Sequence, residues 1–297
     1  MSHKNLLNIS DLSKKDIGAI LDYAFDLKDT TSSDLKNKSV GLIFEKYSTR
    51  TRLSFHVGIH QLSGNPIEIR FEDLNLQRVE SFEDTFKIFT LYLDALVFRT
   101  TSHTRLDKAS NYFRKPIING LSDLSHPCQI ISDLYTLKNH FNSLEGLSIS
   151  WFGDMNNVLY SYFELLNIFP DITLNIFTNK TIYDKKKLDF PLIKNHNINI
   201  FFSIDESVIK NSNCVMTDVF TSMNDESNEK ELLLNQFQVN STLMSLTKKN
   251  CVFMHCLPAN KGYEVTEDVL LSDQSIIMSQ AKNRLIAQKG ILKWLDI

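Results

Sequence analysis

The sequence predicts an α/β protein with two doubly wound parallel-sheet domains joined by inter-domain helices. Short, continuous apolar runs of strand length recur along the chain, segments of helical apolar spacing separate them, and the runs fall into two sets. Strands covered on both faces read as unbroken apolar runs, and the helices between them supply the covering layers. A length of 297 residues accommodates two medium domains.

The elements follow in order. A helix is expected over 13–28, then an apolar run at 40–44. Ser48-Thr49-Arg50-Thr51-Arg52 comes next and opens an amphipathic segment carrying Leu53, Val57 and Leu62. Helical patterns at 81–92 and 104–113 lie among apolar runs at 95–98 and 116–118. A helix from His126 to about His140 crosses to the second set, with runs at 147–152, 173–177, 198–202, 214–216, 251–254 and 275–278. An amphipathic segment over 280–295 closes the chain. The expected division is 1–132 for the first domain, with 280–297 packing back on it, and 133–279 for the second.

Composition narrows the function classes. A 42% hydrophobic, 23% charged chain of net charge −3 gives no reason to invoke nucleic acid or an acidic membrane as partner. The basic run Lys185-Lys186-Lys187 reads as a solvated loop. No apolar stretch has the ~18 residues of a membrane span, and the N-terminal residues carry no apolar signal core. Cys128, Cys214, Cys251 and Cys256 show neither a CxxC pair nor a secreted-framework spacing, which fits reduced thiols in the cytoplasm. With only 9 glycines, turns must lean on Asn, Asp and Ser.

The polar residues of interest gather at the carboxyl ends of the expected strands, where open α/β sheets bind ligands. Hydroxyls and a guanidinium at a helix N-terminus suit a phosphate dianion, since first-turn N–H groups and the helix dipole favour negative charge there. Arg50 is assigned to the anion and Arg52 to a structural ion pair, because residues two apart do not share a helix face. Arg99 follows the 95–98 run, and His126, Pro127 and Gln129 open the crossing helix. Gly153, Asp154, Asn156 and Asn157 follow 147–152, Asp218 follows 214–216, and His255-Cys256-Leu257-Pro258 ends 251–254. Together they describe a cleft between two domains, one wall basic and the other bearing a carboxylate and amides. Each element has a plainer alternative: an ordinary Ser/Thr cap, a surface Arg99, a His126 that only precedes a helix-starting proline. Gly153-Asp154 lacks the GxGxxG spacing of a dinucleotide site. His255 and Cys256 on extended backbone would face opposite ways, and Cys251, His255 and Cys256 lack zinc-ligand spacing.

Ser48-Thr49-Arg50-Thr51-Arg52, His126-Pro127-Cys128-Gln129, Asp218-Val219-Phe220-Thr221-Ser222-Met223 and His255-Cys256-Leu257-Pro258 resemble the ordered signatures of the ornithine carbamoyltransferase family. The resemblance runs from Phe44-Glu45-Lys46 to Asn283-Arg284, and its two later motifs favour the ornithine branch over the aspartate branch. It implies transfer of the carbamoyl group of carbamoyl phosphate to the δ-amine of L-ornithine, giving citrulline and phosphate for arginine biosynthesis. On that resemblance the first domain, joined by Cys256 and Leu257 of the second, binds carbamoyl phosphate through Ser48, Thr49, Arg50, Thr51, Asn75, Arg99, His126, Gln129, Cys256, Leu257 and Arg284. The second binds ornithine through Asn157, Asp218, Ser222 and Met223. Arg99, His126, Asp218 and Cys256 carry the chemistry, Cys256 orienting the amine rather than attacking. The resemblance implies no metal or organic cofactor, because carbamoyl phosphate is already activated, and a homotrimer in which a neighbour's loop completes each site.

Departures from the family pattern concern loops. The 75–81 segment keeps Glu80-Ser81 but lacks glycines, with Asn75 where Gln is expected; Asn224 replaces a glycine and Phe220 a Trp. Two alternatives stay open: a carbamoyltransferase for a modified ornithine or another amine, and a catalytically weakened binding homologue.

Overall fold

The computed structural model describes residues 3–74, 76, 80–188, 197–221 and 228–297. The chain divides into two units, Met1–Thr136 with Lys282–Ile297, and Leu137–Ala281. In the first unit α1 (Lys14–Asp26) starts at a capping box: Ser13 Oγ accepts from the Asp16 N–H at 3.1 Å, and the Asp16 carboxylate accepts from the Ser13 N–H at 3.0 Å. There follow β1 (Ser39–Phe44), α2 (Thr49–Gln61), β2 (Asn65–Arg70), α3 (Phe82–Tyr92), β3 (Ala95–Arg99), α4 (His103–Tyr112), β4 (Ile117–Leu121) and α5 (Pro127–Phe141), whose later residues enter the second unit. The four strands pair in parallel in the order β2-β1-β3-β4. Ile43, Phe86, Leu96, Phe98, Leu106 and Phe113 form a buried core of this unit.

The second unit contains β5 (Ser148–Phe152), α6 (Asn157–Leu166), β6 (Thr173–Phe177), α7 (Lys180–Lys186), β7 (Ile198–Phe201), α8 (Glu206–Ile209), β8 (Cys214–Thr217), α9 (Asn228–Leu234), α10 (Ser241–Ser245), β9 (Val252–His255) and α11 (Glu267–Leu270). Helix α12 (Ile277–Trp294) begins in this unit and continues into the first. Its parallel sheet has the order β7-β6-β5-β8-β9. In each sheet two neighbouring strands send their outgoing connections in opposite directions, β1 to β2 and β3 to β4 in the first, β5 to β6 and β8 to β9 in the second. Such switch points open a crevice at the strands' carboxyl ends, one in each unit.

Four expectations need correction. The first sheet has a strand the apolar runs did not reveal, β2: an edge strand containing Pro66, it alternates Ile67 and Ile69 with Glu68 and Arg70 rather than forming an unbroken run. The run at 275–278 is no strand. Ser275 makes one isolated bridge to Phe253, and the chain turns into α12 at Ile277. On α2 the covered face is Thr51, Phe55, Gly58 and Ile59, continued by Leu62, whereas Leu53 and Val57 are exposed. Lys185 and Lys186 lie in the last turn of α7, where cations favour the carbonyl end of the dipole, and Lys187 pairs with Asp184 at 2.6 Å. No helix of the described residues is long and apolar enough to cross a membrane.

Candidate active site

In the first unit, Ser48 stands at the N-cap of α2 in extended conformation, but its hydroxyl does not cap the helix. Its Oγ instead accepts from Arg99 Nη1 at 3.3 Å, linking the ends of β1 and β3. Thr49, Arg50 and Thr51 form the first turn, whose backbone N–H groups lie at the positive end of the helix dipole. Thr51 is buried and its Oγ1 accepts from Arg284 Nη2 at 2.6 Å. The other end of that guanidinium donates to Gln129 Oε1 at 2.5 Å, and Gln129 Nε2 donates to Asp133 Oδ1 at 2.8 Å. Thr51, Arg284, Gln129 and Asp133 thus make one buried chain of hydrogen bonds through α2, α12 and α5. Asp133 did not emerge from the sequence, although its i,i+4 spacing from Gln129 on a helix is the signal that would have found it.

His126 precedes α5, which Pro127 starts at the first helical position. The imidazole is buried, and its pKa is held well below 6.5 by burial first, then by the charges of Arg284, Arg99 and Arg50. It is therefore neutral at physiological pH and surrounded by fixed positive charge. Arg52 points elsewhere, 3.7 Å from Glu68, as expected for a structural pair. The loop after β3 is held by Glu45, which accepts from Arg105 Nη1 at 2.5 Å and from the Thr101 N–H at 2.8 Å. Burial pushes the Cys128 thiol up to about 12, so it is an inert packing group.

In the second unit, Asp218 at the end of β8 is the hub. One carboxylate oxygen accepts from Cys256 Sγ at 2.9 Å, and the other from Asn156 Nδ2 at 2.6 Å. The carbonyl oxygen of the Asn156 side chain caps α6 by accepting from Val158 and Leu159 N–H, both at 3.1 Å, and Asn157 is the first residue of that helix. Sequence reading named the asparagine pair but missed that Asn156 grips Asp218; its place as an Asx cap before an apolar helix was the available sign. Gly153 turns the chain after β5 at φ +117°, where a Cβ would stand 2.6 Å from the Phe220 ring. Phe220 therefore packs over the turn that leads to the asparagines.

The expectation that His255 and Cys256 face opposite ways fails, because Cys256 lies past the end of β9 and its thiol comes near the His255 ring. The imidazole Nδ1 accepts from the Leu257 N–H at 2.9 Å, so Nε2 carries the proton toward the buried Glu264, 3.3 Å away. Glu264 had no signal in the sequence. Leu257 sits at φ 60°, an unfavoured conformation for a branched side chain, held by that bond to His255. Ligand atoms of Asp218, His255 and Cys256 lie within 4.8 Å of one another. Both His255 nitrogens are already engaged, however, and the thiol is directed to Asp218, so a metal there would have to displace three hydrogen bonds. Asn75, Ser222, Met223 and Asn224 lie outside the described residues.

The first unit thus gathers Ser48, Arg50, Thr51, Arg99, His126, Gln129 and Arg284, with Thr49 in the same helical turn, and the second gathers Asn157, Asp218, Cys256 and Leu257. Residues 4–139 match the model of the aspartate/ornithine carbamoyltransferase carbamoyl-P binding domain, and residues 145–295 that of the Asp/Orn binding domain. The chain belongs to the aspartate/ornithine carbamoyltransferase family. It is 41% identical to an ornithine carbamoyltransferase of Methanosphaera stadtmanae, over 97% of this chain and 98% of that one. The structure of ornithine carbamoyltransferase from Pyrococcus furiosus aligns with a TM-score of 0.89 at 32% identity, covering 98% of this chain and 96% of that one. That of the anabolic ornithine carbamoyltransferase from Campylobacter jejuni aligns with a TM-score of 0.86 at 31% identity, over 99% of each.

Proposed function

We propose that the protein is an ornithine carbamoyltransferase working in the biosynthetic direction, converting carbamoyl phosphate and L-ornithine to L-citrulline and phosphate. The observation that carries the reading is a buried, neutral His126 under the charges of Arg50, Arg99 and Arg284, beside the first turn of α2. This arrangement suits a doubly charged phosphate joined to a polarisable carbonyl. The ornithine carbamoyltransferases among its relatives and the anabolic one among the structural neighbours support the acceptor and the direction.

Residues 1–132 with helix 280–297 are assigned to carbamoyl phosphate and 133–279 to ornithine. The phosphate is held by Ser48, Thr49, Arg50 and Thr51, with Arg99 spanning phosphate and carbonyl and Asn75 contributed by a neighbouring subunit. The neutral δ-amine of ornithine attacks the carbonyl carbon, the carbonyl oxygen gains negative charge, and the carbon–oxygen bond to phosphate breaks. The amine's proton passes to the departing phosphate, which leaves with the bonding pair. Arg99 and His126 stabilise the developing oxyanion; His126, being neutral, does so as a hydrogen-bond donor, so the guanidinium supplies the charge. Gln129, Arg284 and the main chain at Cys256 and Leu257 hold the carbamoyl group. Asp218, with Asn157, Ser222 and Met223, holds the amino-acid head of ornithine, and Cys256 orients the amine. Only the unprotonated amine attacks, so the rate rises with pH through its titration.

The working form is assigned as a homotrimer, supported by apolar side chains that one chain leaves uncovered on α2 and α3. Four free cysteines, three of them buried, fit the reducing cytoplasm. Asp218→Asn tests the amino-acid half. The expected result is a rise of about tenfold or more in the ornithine KM, the loss of one charged hydrogen bond, with carbamoyl phosphate KM unchanged. Equal losses for both substrates would assign Asp218 a structural role instead.

A further inference from the structure

The turn that carries Asn156 and Asn157 has a partner outside the motifs. Asp154 follows Gly153, and its Oδ2 lies 2.7 Å from Lys230 Nζ, with the two side chains only 6% and 14% exposed. Exposed pairs contribute little and tolerate loss, whereas a buried charge left without its partner forces its surroundings to rearrange. Asp154 has little room to do so, because its carbonyl accepts from Trp151 Nε1 at 2.9 Å. Two residues further on, Asn156 donates to Asp218 at 2.6 Å, and Asp218 accepts from Cys256. Lys230 lies on α9, and the next residue of that helix, Glu231, accepts from Thr221 Oγ1 at 2.9 Å. Thr221 belongs to the stretch that begins at Asp218. Adjacent residues of α9 therefore hold the chain after β5 and the chain after β8, the two arms that carry Asn157 and Asp218.

We propose that Lys230 is a positioning residue for amino-acid binding: its pair with Asp154 fixes the turn so that Asn156 and Asn157 keep their geometry against Asp218 and Cys256. The inference rests on the reading of Asn157 and Asp218 as ornithine ligands. In this role Lys230 acts through Asp154, to which its ammonium donates at 2.7 Å, and not on the substrate itself.

The test uses full-length wild-type protein, Lys230→Met and Lys230→Arg, with KM measured for ornithine and carbamoyl phosphate separately. Lys230→Met is expected to raise the ornithine KM about tenfold or more, in the range for loss of a charge-assisted contact. The carbamoyl phosphate KM stays within about twofold, and Lys230→Arg restores most of the ornithine affinity because it keeps the buried charge. Unchanged ornithine KM in Lys230→Met overturns the proposal, as does a parallel loss for both substrates. Should Lys230→Met fail to fold, Asp154→Asn takes its place: a selective rise in ornithine KM supports the proposal and an unchanged value overturns it. Wild-type protein that makes no citrulline would instead overturn the functional reading on which the proposal stands.

Discussion

His126 illustrates how much a single side chain depends on its surroundings. Its place before Pro127 was legible, because a proline at the first helical position marks where the helix starts. Its protonation was not, since that follows from burial among three arginines drawn from distant parts of the sequence. The consequence for stability has a definite sign. An unfolded chain protonates this imidazole near its ordinary 6.5, whereas the native one does so only at much lower pH. Between those values the unfolded state binds the extra proton, so stability falls as pH is lowered through 6.5 and levels off only below the native pKa. Urea unfolding from pH 7.5 to 5.5 is expected to show this as a slope of up to about 1.4 kcal/mol per pH unit, absent in His126→Gln. An identical pH dependence in both proteins would contradict it. Left-handed turns show a similar split. Asn37, Ser63, Asn142 and Asp296 adopt positive φ, as scarce glycine led one to expect, but Leu257 does so only because His255 holds its N–H.

Helices and central strands were readable because their signals are local. Buried parallel strands such as β1 and β3 are almost continuous apolar runs, and α1 and α3 begin at Ser caps that hold the third residue on. What escaped is what local pattern cannot carry. The edge strand β2 draws its order from pairing with β1, and Ser275 from a single bridge to β9. The face of α2 was misread for a related reason. Apolar spacing says that a side chain needs cover, not which surface supplies it. Leu53 on α2 is 57% exposed, and Leu91 and Tyr92 at the end of α3 are each 74% exposed. Such side chains on an otherwise polar surface fit an interface between subunits. Light scattering is expected to give about three times the 34.2 kDa chain mass, and Leu53→Glu with Leu91→Glu a lower one, because burying two carboxylates in an apolar contact is costly. A monomeric wild-type protein would contradict the trimer.

For the molecule as a whole, the two-sheet α/β architecture was legible in the sequence, and so were most candidate ligands, because they sit at strand ends where such sheets gather polar residues. The links among them were not. Arg284 reaches Thr51 and Gln129 across most of the chain length, and Asn156, Cys256 and Asp218 meet only because β5, β8 and β9 are neighbours in the sheet. Those links distribute the labour: the first unit presents cationic and neutral donors, the second a carboxylate with amides. The central claim is that this chemistry transfers a carbamoyl group to ornithine in particular. The direct measurement is citrulline formation by the purified protein from carbamoyl phosphate and L-ornithine, with acetylornithine, putrescine and aspartate run in parallel. Rapid product is expected with ornithine and little with the others, since putrescine has no carboxylate to hold and acetylornithine no free α-amine for Asp218. Preference for another amine, or no product from any while carbamoyl phosphate still binds, would contradict it.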